Sequence, residues 1–208
     1  METRKPEETS IGGAARNEKG APGNLFIVSA PSGAGKSTLC GALRQRFARI
    51  RYSVSYTTRK PRPGEVDGVH YHFIDVAEFR RRIDQDAWAE WAEVHGNYYG
   101  TSADLLAEGL AAGEDILLEI DVQGAAQIAE RFEQAVTIFI LPPSMEALEA
   151  RLRGRDSDSD AVIEKRLVNA RTEMAQKDRY RHRIVNDDLE TAKAELFAVV
   201  ERYITAGS

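Results

Sequence analysis

Residues 25–38 read LFIVSAPSGAGKST, and this stretch decides the fold. A short apolar run leads into a loop of small residues, after which Leu39, Leu43 and Phe47 recur at the spacing of a helix. A strand, a glycine-rich loop and a helix in this order are typical of a phosphate-binding loop, where backbone N–H groups and the positive end of the helix dipole face an anion. The stretch therefore predicts an α/β fold with a phosphate site after its first strand.

The residues of this loop indicate a nucleotide that donates a phosphoryl group. Lys36 is expected to reach the β- and γ-phosphates of ATP, and the hydroxyl of Ser37 is expected to ligate Mg²⁺. Ala30 stands where the strict pattern has glycine, which alanine can replace unless that residue needs a positive φ. A glycine-rich turn with an incidental lysine is the alternative interpretation. The predicted ATP-binding residues of the loop are Ala30, Pro31, Ser32, Gly33, Ala34, Gly35, Lys36, Ser37 and Thr38.

The composition is that of an ordinary globular protein of one domain: 208 residues, 42% apolar and 29% charged, with a net charge of −5. The single cysteine, Cys40, excludes an intramolecular disulfide and suits a packing role. No apolar run could span a membrane, and the N-terminus has the character of neither a signal peptide nor a transit sequence. We therefore expect a cytoplasmic protein without a membrane partner. Residues 1–22 are polar and aperiodic, which predicts a disordered tail.

Positive charge is concentrated near the phosphate loop. Residues 25–64 contain eight Lys and Arg but no Asp or Glu, in a chain whose net charge is negative. A solvated basic face explains the arginines of the first helix, but not Arg59 and Arg62, which lie in a later loop. A local positive region in an acidic protein suits small phosphorylated ligands better than long nucleic acid, so we expect no nucleic-acid partner.

Strands and helices alternate along most of the chain, and residues 161–179 are predicted to form one helix. The region 53–103 departs from this alternation because short strands and aromatic residues crowd there. We predict a small inserted subdomain, mostly of strands, over that region, with residues 24–52 and 104–204 forming the core. At its start, residues 52–56 are predicted to be a single strand.

Two carboxylates lie near the end of a buried strand predicted at residues 116–121. Open α/β sheets bind ligands at the carboxyl ends of their strands, so a purely structural role for Asp121 is the less favoured interpretation. Glu119 and Asp121 are candidates to hold Mg²⁺ through water or to accept hydrogen bonds from a substrate. The predicted metal set is therefore Ser37, Glu119 and Asp121.

The sequence resembles the guanylate kinase family in five segments. They read SYTTRKPRPGE at 55–65, EWA at 90–92, GNYYG at 96–100, LEIDVQG at 118–124 and VNDD at 185–188. The resemblance implies a parallel-sheet core like that of other phosphate-loop (P-loop) NTPases, a mostly-β GMP-binding subdomain over 53–103 and a short lid at about 154–162. It also implies transfer of the ATP γ-phosphoryl group to GMP or dGMP, giving ADP and the diphosphate.

The same resemblance assigns site residues. The expected GMP ligands are Ser55, Arg59, Arg62, Tyr71, Glu90, Tyr99, Thr101 and Asp121. Two arginines and two tyrosine hydroxyls of this set would hold the GMP phosphate, and the other four would contact guanine. Asn186 joins the ATP-binding residues. The expected catalytic residues are Lys36, Arg59, Arg155 and Arg166, of which the last two would close over the phosphates from the lid.

Glu90 is the predicted reader of the base. An ionised carboxylate is an acceptor only, so it can take both the N1–H and the exocyclic amine of guanine, whereas adenine offers an unprotonated N1 at that place. The alternatives are that Glu90 is an exposed helix or loop carboxylate, and that Asp121 reads the base instead.

Two other functions are compatible with parts of the sequence. A non-catalytic, peptide-binding relative of guanylate kinase would be expected to lose the phosphate loop, whereas Lys36 and Ser37 are intact. Another small-molecule kinase with a phosphate loop would keep the donor site but would not need the signature that contains Arg59 and Arg62. The sequence does not indicate the oligomeric state.

Overall fold

The structure is a computed structural model that describes residues 22–94, 96–154 and 159–206. Its strands are β1 (Leu25–Ser29), β2 (Arg51–Tyr52), β3 (Tyr56–Thr57), β4 (His72–Phe73), β5 (Trp88–Val94), β6 (Asn97–Ser102), β7 (Ile116–Glu119), β8 (Val136–Leu141) and β9 (His182–Val185). Its helices are α1 (Lys36–Arg46), α2 (Val76–Asp84), α3 (Ala103–Ala111), α4 (Val122–Arg131), α5 (Met145–Arg153), α6 (Asp160–Met174) and α7 (Leu189–Ala206).

The core is a parallel sheet of five strands in the order β2-β7-β1-β8-β9. Every residue of the central strand β1 is buried, as expected for a parallel strand covered on both faces. Phe26 and Val28 pack toward α1 and α7 on one face, and Leu25 and Ile27 pack toward α3 and α4 on the other. The predicted α/β fold with a parallel-sheet core is confirmed.

A second sheet of four strands, in the order β4-β3-β6-β5, lies within the region predicted as an insertion. It has its own aromatic core, in which the ring of Phe79 from α2 stacks on Trp88 at 4.3 Å between centroids and on Tyr98 at 5.2 Å. The indole N–H of Trp88 donates to the carbonyl of Phe79. Trp88 is therefore a core residue of this sheet, whereas Trp91 is partly exposed.

The prediction of one strand over residues 52–56 is wrong, because the chain changes sheets there. Ser53 still donates its N–H to the carbonyl of Leu117 in the core sheet. Two residues later the carbonyl of Ser55 accepts from His72 in the four-stranded sheet. The chain therefore forms two short strands, β2 and β3, in different sheets, and weak alternation in the sequence does not reveal the change of partner.

The helix predicted over residues 161–179 runs instead from Asp160 to Met174 as α6. After it the hydrogen bonding tightens, with Gln176 donating to the carbonyl of Glu173, and a short 3₁₀ turn follows at Lys177–Arg179. The turn brings Tyr180 against Phe139 of β8, with ring centroids 4.8 Å apart, and leads into β9. Tertiary packing therefore ends the helix where periodicity alone did not.

The remaining predictions about organisation fall partly outside the described residues. The predicted tail, apart from residue 22, and residues 155–158 of the predicted lid both lie there. Within the described part of the chain, no helix combines the length and the apolar character needed to cross a membrane. The division into core, subdomain and lid stays a prediction.

Candidate active site

The phosphate loop has the backbone that its glycines were expected to provide. Gly33 and Gly35 have φ values of +94° and +92°, a region that side chains other than glycine rarely adopt. A Cβ at Gly35 would also lie 2.3 Å from the side-chain nitrogen of Asn186. That amide is buried and donates to the carbonyl of Ala34 at 2.8 Å, so this hydrogen bond fixes the backbone of the loop. Helix α1 begins directly after Gly35.

Ala30, the departure from the strict loop pattern, is accommodated without strain. Asp86 is the one non-glycine residue of positive φ in the described part of the chain, so Ala30 avoids that conformation. Ala30 is also buried in the core cluster beside α1. An alanine methyl group therefore fits at this position, as the sequence interpretation required.

The ends of β1 and β7 bring the loop beside the predicted carboxylates, because these two strands are parallel neighbours. The ammonium group of Lys36 donates to the carbonyl of Ile120 at 3.0 Å, and the hydroxyl of Ser37 donates to Oε1 of Glu119 at 2.5 Å. Asp121 begins α4 as its N-cap, since its Oδ1 accepts from the backbone N–H groups of residues 123 and 124. Asp121 thus has a structural role that the sequence interpretation had not favoured, in addition to its place at the site.

A cavity of about 340 Å³ adjoins the phosphate loop. Seven of the eight residues predicted to bind GMP line it together with Lys36 and Glu119: Ser55, Arg59, Arg62, Tyr71, Glu90, Tyr99 and Asp121. The eighth, Thr101, is buried and donates its hydroxyl proton to Glu90. The volume lies within the range of small-molecule sites. The structure therefore brings the predicted acceptor residues to the same space as the predicted donor lysine.

Glu90 is a buried residue of strand β5, with 5% of its surface exposed, so the alternative of an exposed carboxylate is wrong. Oε1 of Glu90 accepts from the hydroxyl of Thr101 at 2.7 Å. On its other side a Cβ added at Gly124 would lie 2.6 Å from Oε2, so the carboxylate lies directly against α4. Burial, aided by the charge of Asp121, raises the pKa of Glu90 to about 7.

Arg59 is held by Glu65, a residue to which the sequence analysis gave no role. The two guanidinium Nη atoms donate to the two carboxylate oxygens at 3.0 and 2.9 Å, and Oε2 also accepts from the backbone N–H of Arg62 at 2.7 Å. These bonds lower the pKa of Glu65 to about 2 and raise the pKa of Arg59. A hydrogen bond with the hydroxyl of Tyr99 also raises the pKa of Arg59. Glu65 could have been found from its place at the end of the segment that carries both arginines.

The structure does not bring every predicted residue to the 340 Å³ cavity. Arg166 lines a second cavity of about 700 Å³, which it shares with Ser32 of the phosphate loop and with Asp121. Arg155 lies outside the described residues. Asn186 lies against the phosphate loop, where its side-chain amide donates a hydrogen bond to the carbonyl of Ala34. Contacts of these three residues with ATP stay predictions.

A phosphate loop on a parallel sheet, next to a cavity that combines two arginines with a buried carboxylate, is the arrangement of a P-loop kinase. The sequence model of the guanylate kinase family matches residues 22–203. The chain therefore belongs to the guanylate kinase family.

Relatives and a solved structure agree with this assignment. A guanylate kinase of Aromatoleum aromaticum is 57% identical over 86% of this chain and 88% of its own length. One of Geobacter sulfurreducens is 55% identical over the same two shares. The crystal structure of guanylate kinase from Anaplasma phagocytophilum superposes with a TM-score of 0.69 at 34% identity, covering 88% of this chain and 86% of that one.

Proposed function

We propose that the protein transfers the γ-phosphoryl group of ATP to GMP, giving ADP and GDP. The observation that carries this function is that Lys36, Arg59 and Glu90 all line the same cavity. A simple ATPase or GTPase needs only the phosphate loop. A buried carboxylate and a pair of arginines beside that loop supply a second site with a base end and a phosphate end.

The base end is built around Glu90. Its ionised carboxylate accepts from N1–H and from the exocyclic amine of guanine, while the hydroxyl of Thr101 keeps one of its oxygens in place. Ser55 and Asp121 line the same cavity and supply further polar contacts to the base. A buried site of this kind discriminates strongly, because a wrong base leaves its polar groups without partners.

The phosphate end is built around Arg59 and Arg62, with the hydroxyl groups of Tyr71 and Tyr99 nearby. Planar guanidinium groups suit a phosphate because they donate parallel hydrogen bonds to its oxygens. Glu65 and the carbonyl of Lys60 orient the Arg59 guanidinium before substrate binds. The GMP phosphate therefore meets a guanidinium group whose orientation is already set. None of these residues is assigned to the ribose 2′-hydroxyl, so dGMP is proposed as a second acceptor.

At the donor end, the phosphate loop binds the ATP phosphates, and Lys36 leaves the carbonyl of Ile120 to reach the γ-phosphate. Mg²⁺ fits here because it needs few protein ligands beside phosphate oxygens and water, and Ser37 would hold it with support from Glu119. When bound, Mg²⁺ neutralises phosphate charge. An oxygen of the GMP phosphate attacks the γ-phosphorus, and the bond from that phosphorus to the β,γ-bridging oxygen breaks. Arg155 from the lid and Arg166 from helix α6 are proposed to stabilise the transferring group.

The experiment that tests this function offers ATP with GMP, dGMP, AMP or UMP in parallel and measures ADP formation. We expect turnover with GMP and dGMP, and negligible turnover with AMP or UMP. Turnover with AMP or UMP instead would indicate another small-molecule kinase, and ADP formation without any acceptor would indicate an ATPase. No turnover under any condition would favour a non-catalytic binding domain. Lys36→Ala serves as the inactive control.

A further inference from the structure

Strand β5 carries Glu90 and is an edge strand whose outer edge faces helix α4 of the core. It pairs with β6 on its inner side only. The unpaired backbone N–H and C=O groups of an edge strand need partners wherever the edge is covered. Here those partners are side chains of α4 and not a further strand.

Gln127 of α4 bonds to backbone groups of β5 in the way that a neighbouring strand would. Its Oε1 accepts from the backbone N–H of Trp91 at 3.1 Å, and its Nε2 donates to the carbonyl of the same residue at 2.9 Å. The two bonds reproduce an antiparallel pair, in which one residue exchanges both of its backbone bonds with a single partner. Trp91 directly follows Glu90, so this amide fixes the strand beside the residue that reads the base.

Two further residues of α4 extend the attachment along the same face of the helix. Arg131, four positions after Gln127, donates to the carbonyl of Trp88 at 2.8 Å and pairs with Asp86 at 3.0 Å. Gly124, three positions before Gln127, leaves the space that the Glu90 carboxylate fills. Residues at this spacing share one face of a helix. The strand is therefore hydrogen-bonded to α4 at two points and packs closely against it at a third.

We propose that Gln127 is a positioning residue for guanine recognition, which holds the Glu90 carboxylate in register with Asp121 at the start of α4. The inference rests on the proposed function, since it assigns a role within the GMP site. Without the amide, the backbone groups of Trp91 have no partner on α4 and the strand shifts along the helix. The carboxylate then no longer meets both N–H groups of guanine together.

The test compares Gln127→Met with the matched control Glu130→Gln, a change at an exposed position of the same helix. Methionine keeps the length of the side chain and suits a helix, but it cannot make either bond. The acceptors are GMP and IMP, since IMP lacks the exocyclic amine. In Gln127→Met we expect a KM for GMP about tenfold higher, as two backbone bonds are lost, with kcat little changed. The preference for GMP over IMP should fall several-fold, and the control should match the wild type.

The outcome separates positioning from simple stabilisation. A structural role alone would lower the melting temperature and weaken the binding of GMP and of IMP equally. That result, or an unchanged KM for GMP, would overturn the inference. Faster hydrogen exchange at the Trp91 amide should accompany the loss of the bond. If Gln127→Met fails to fold, Gln127→Asn, whose amide is one methylene shorter, should change the same ratio. An inactive wild type would refute the proposed function instead, so the two failures are distinguishable.

Discussion

Replacing Glu90 by glutamine removes one acceptor oxygen from the centre of the proposed base site. Oε1 already accepts from Thr101, and Oε2 lies against Gly124, so the introduced amide has little room to rotate away. Its N–H groups would then face the N–H groups of guanine. Loss of a hydrogen bond to a charged group costs about 1.5–3 kcal/mol and a stranded buried donor about 1–3 kcal/mol more. The total, about 2.5–6 kcal/mol, corresponds to a fall of about 10²–10⁴-fold in kcat/KM for GMP.

The assay is steady-state kinetics with saturating ATP and varied GMP, with AMP offered separately. Most of the change should appear in KM, and turnover with AMP should remain negligible because Ser55 and Asp121 are still arranged for guanine. Glu93→Gln is the matched control, since Glu93 is an exposed carboxylate of the same strand. Wild-type efficiency of Glu90→Gln with GMP would refute this account of base recognition and make Asp121 the leading candidate.

Three further predictions concern charge, the donor site and motion. Because burial raises the pKa of Glu90 to about 7 and guanine donors favour its ionised form, kcat/KM for GMP should rise with pH to about 7 and then level off; a rise that persists unchanged in Glu90→Gln would assign it to another group. Lys36→Ala should nearly abolish turnover while calorimetry still detects GMP binding, and undiminished turnover would exclude Lys36 from the mechanism. The region 53–103 and the lid at about 154–162 should close when both nucleotides bind, which small-angle scattering would show as a smaller radius of gyration; equal radii would count against closure.

Much of the donor site could be predicted because its determinants are local. The order of strand, loop and helix, and the two glycines of positive φ, lie within a few consecutive residues, so the sequence alone indicates their geometry. The resemblance added the predicted acceptor residues, and the structure brings seven of the eight to one cavity from segments up to 66 positions apart, such as those of Ser55 and Asp121. Pattern alone could not have grouped them.

What escaped prediction depends on partners that are distant in sequence. The burial of Glu90 requires Gly124, 34 positions later, to lack a side chain. The break between β2 and β3 depends on which sheet supplies a partner, and not on the residues of that segment. Tertiary contacts decided both of these features.

The bond between Asn186 and the phosphate loop has a consequence for how the protein is made. Asn186 lies 152 residues after Ala34, whose carbonyl it binds, and β1 lies in the sheet between β7 and β8, both far along the chain. Contacts of such sequence separation form late, since the intervening chain must first be synthesised and ordered. On the ribosome, the sequence of the phosphate loop therefore emerges well before its final geometry can form, because that geometry waits for a residue 152 positions later. A nascent chain released before that point has the loop but not the site.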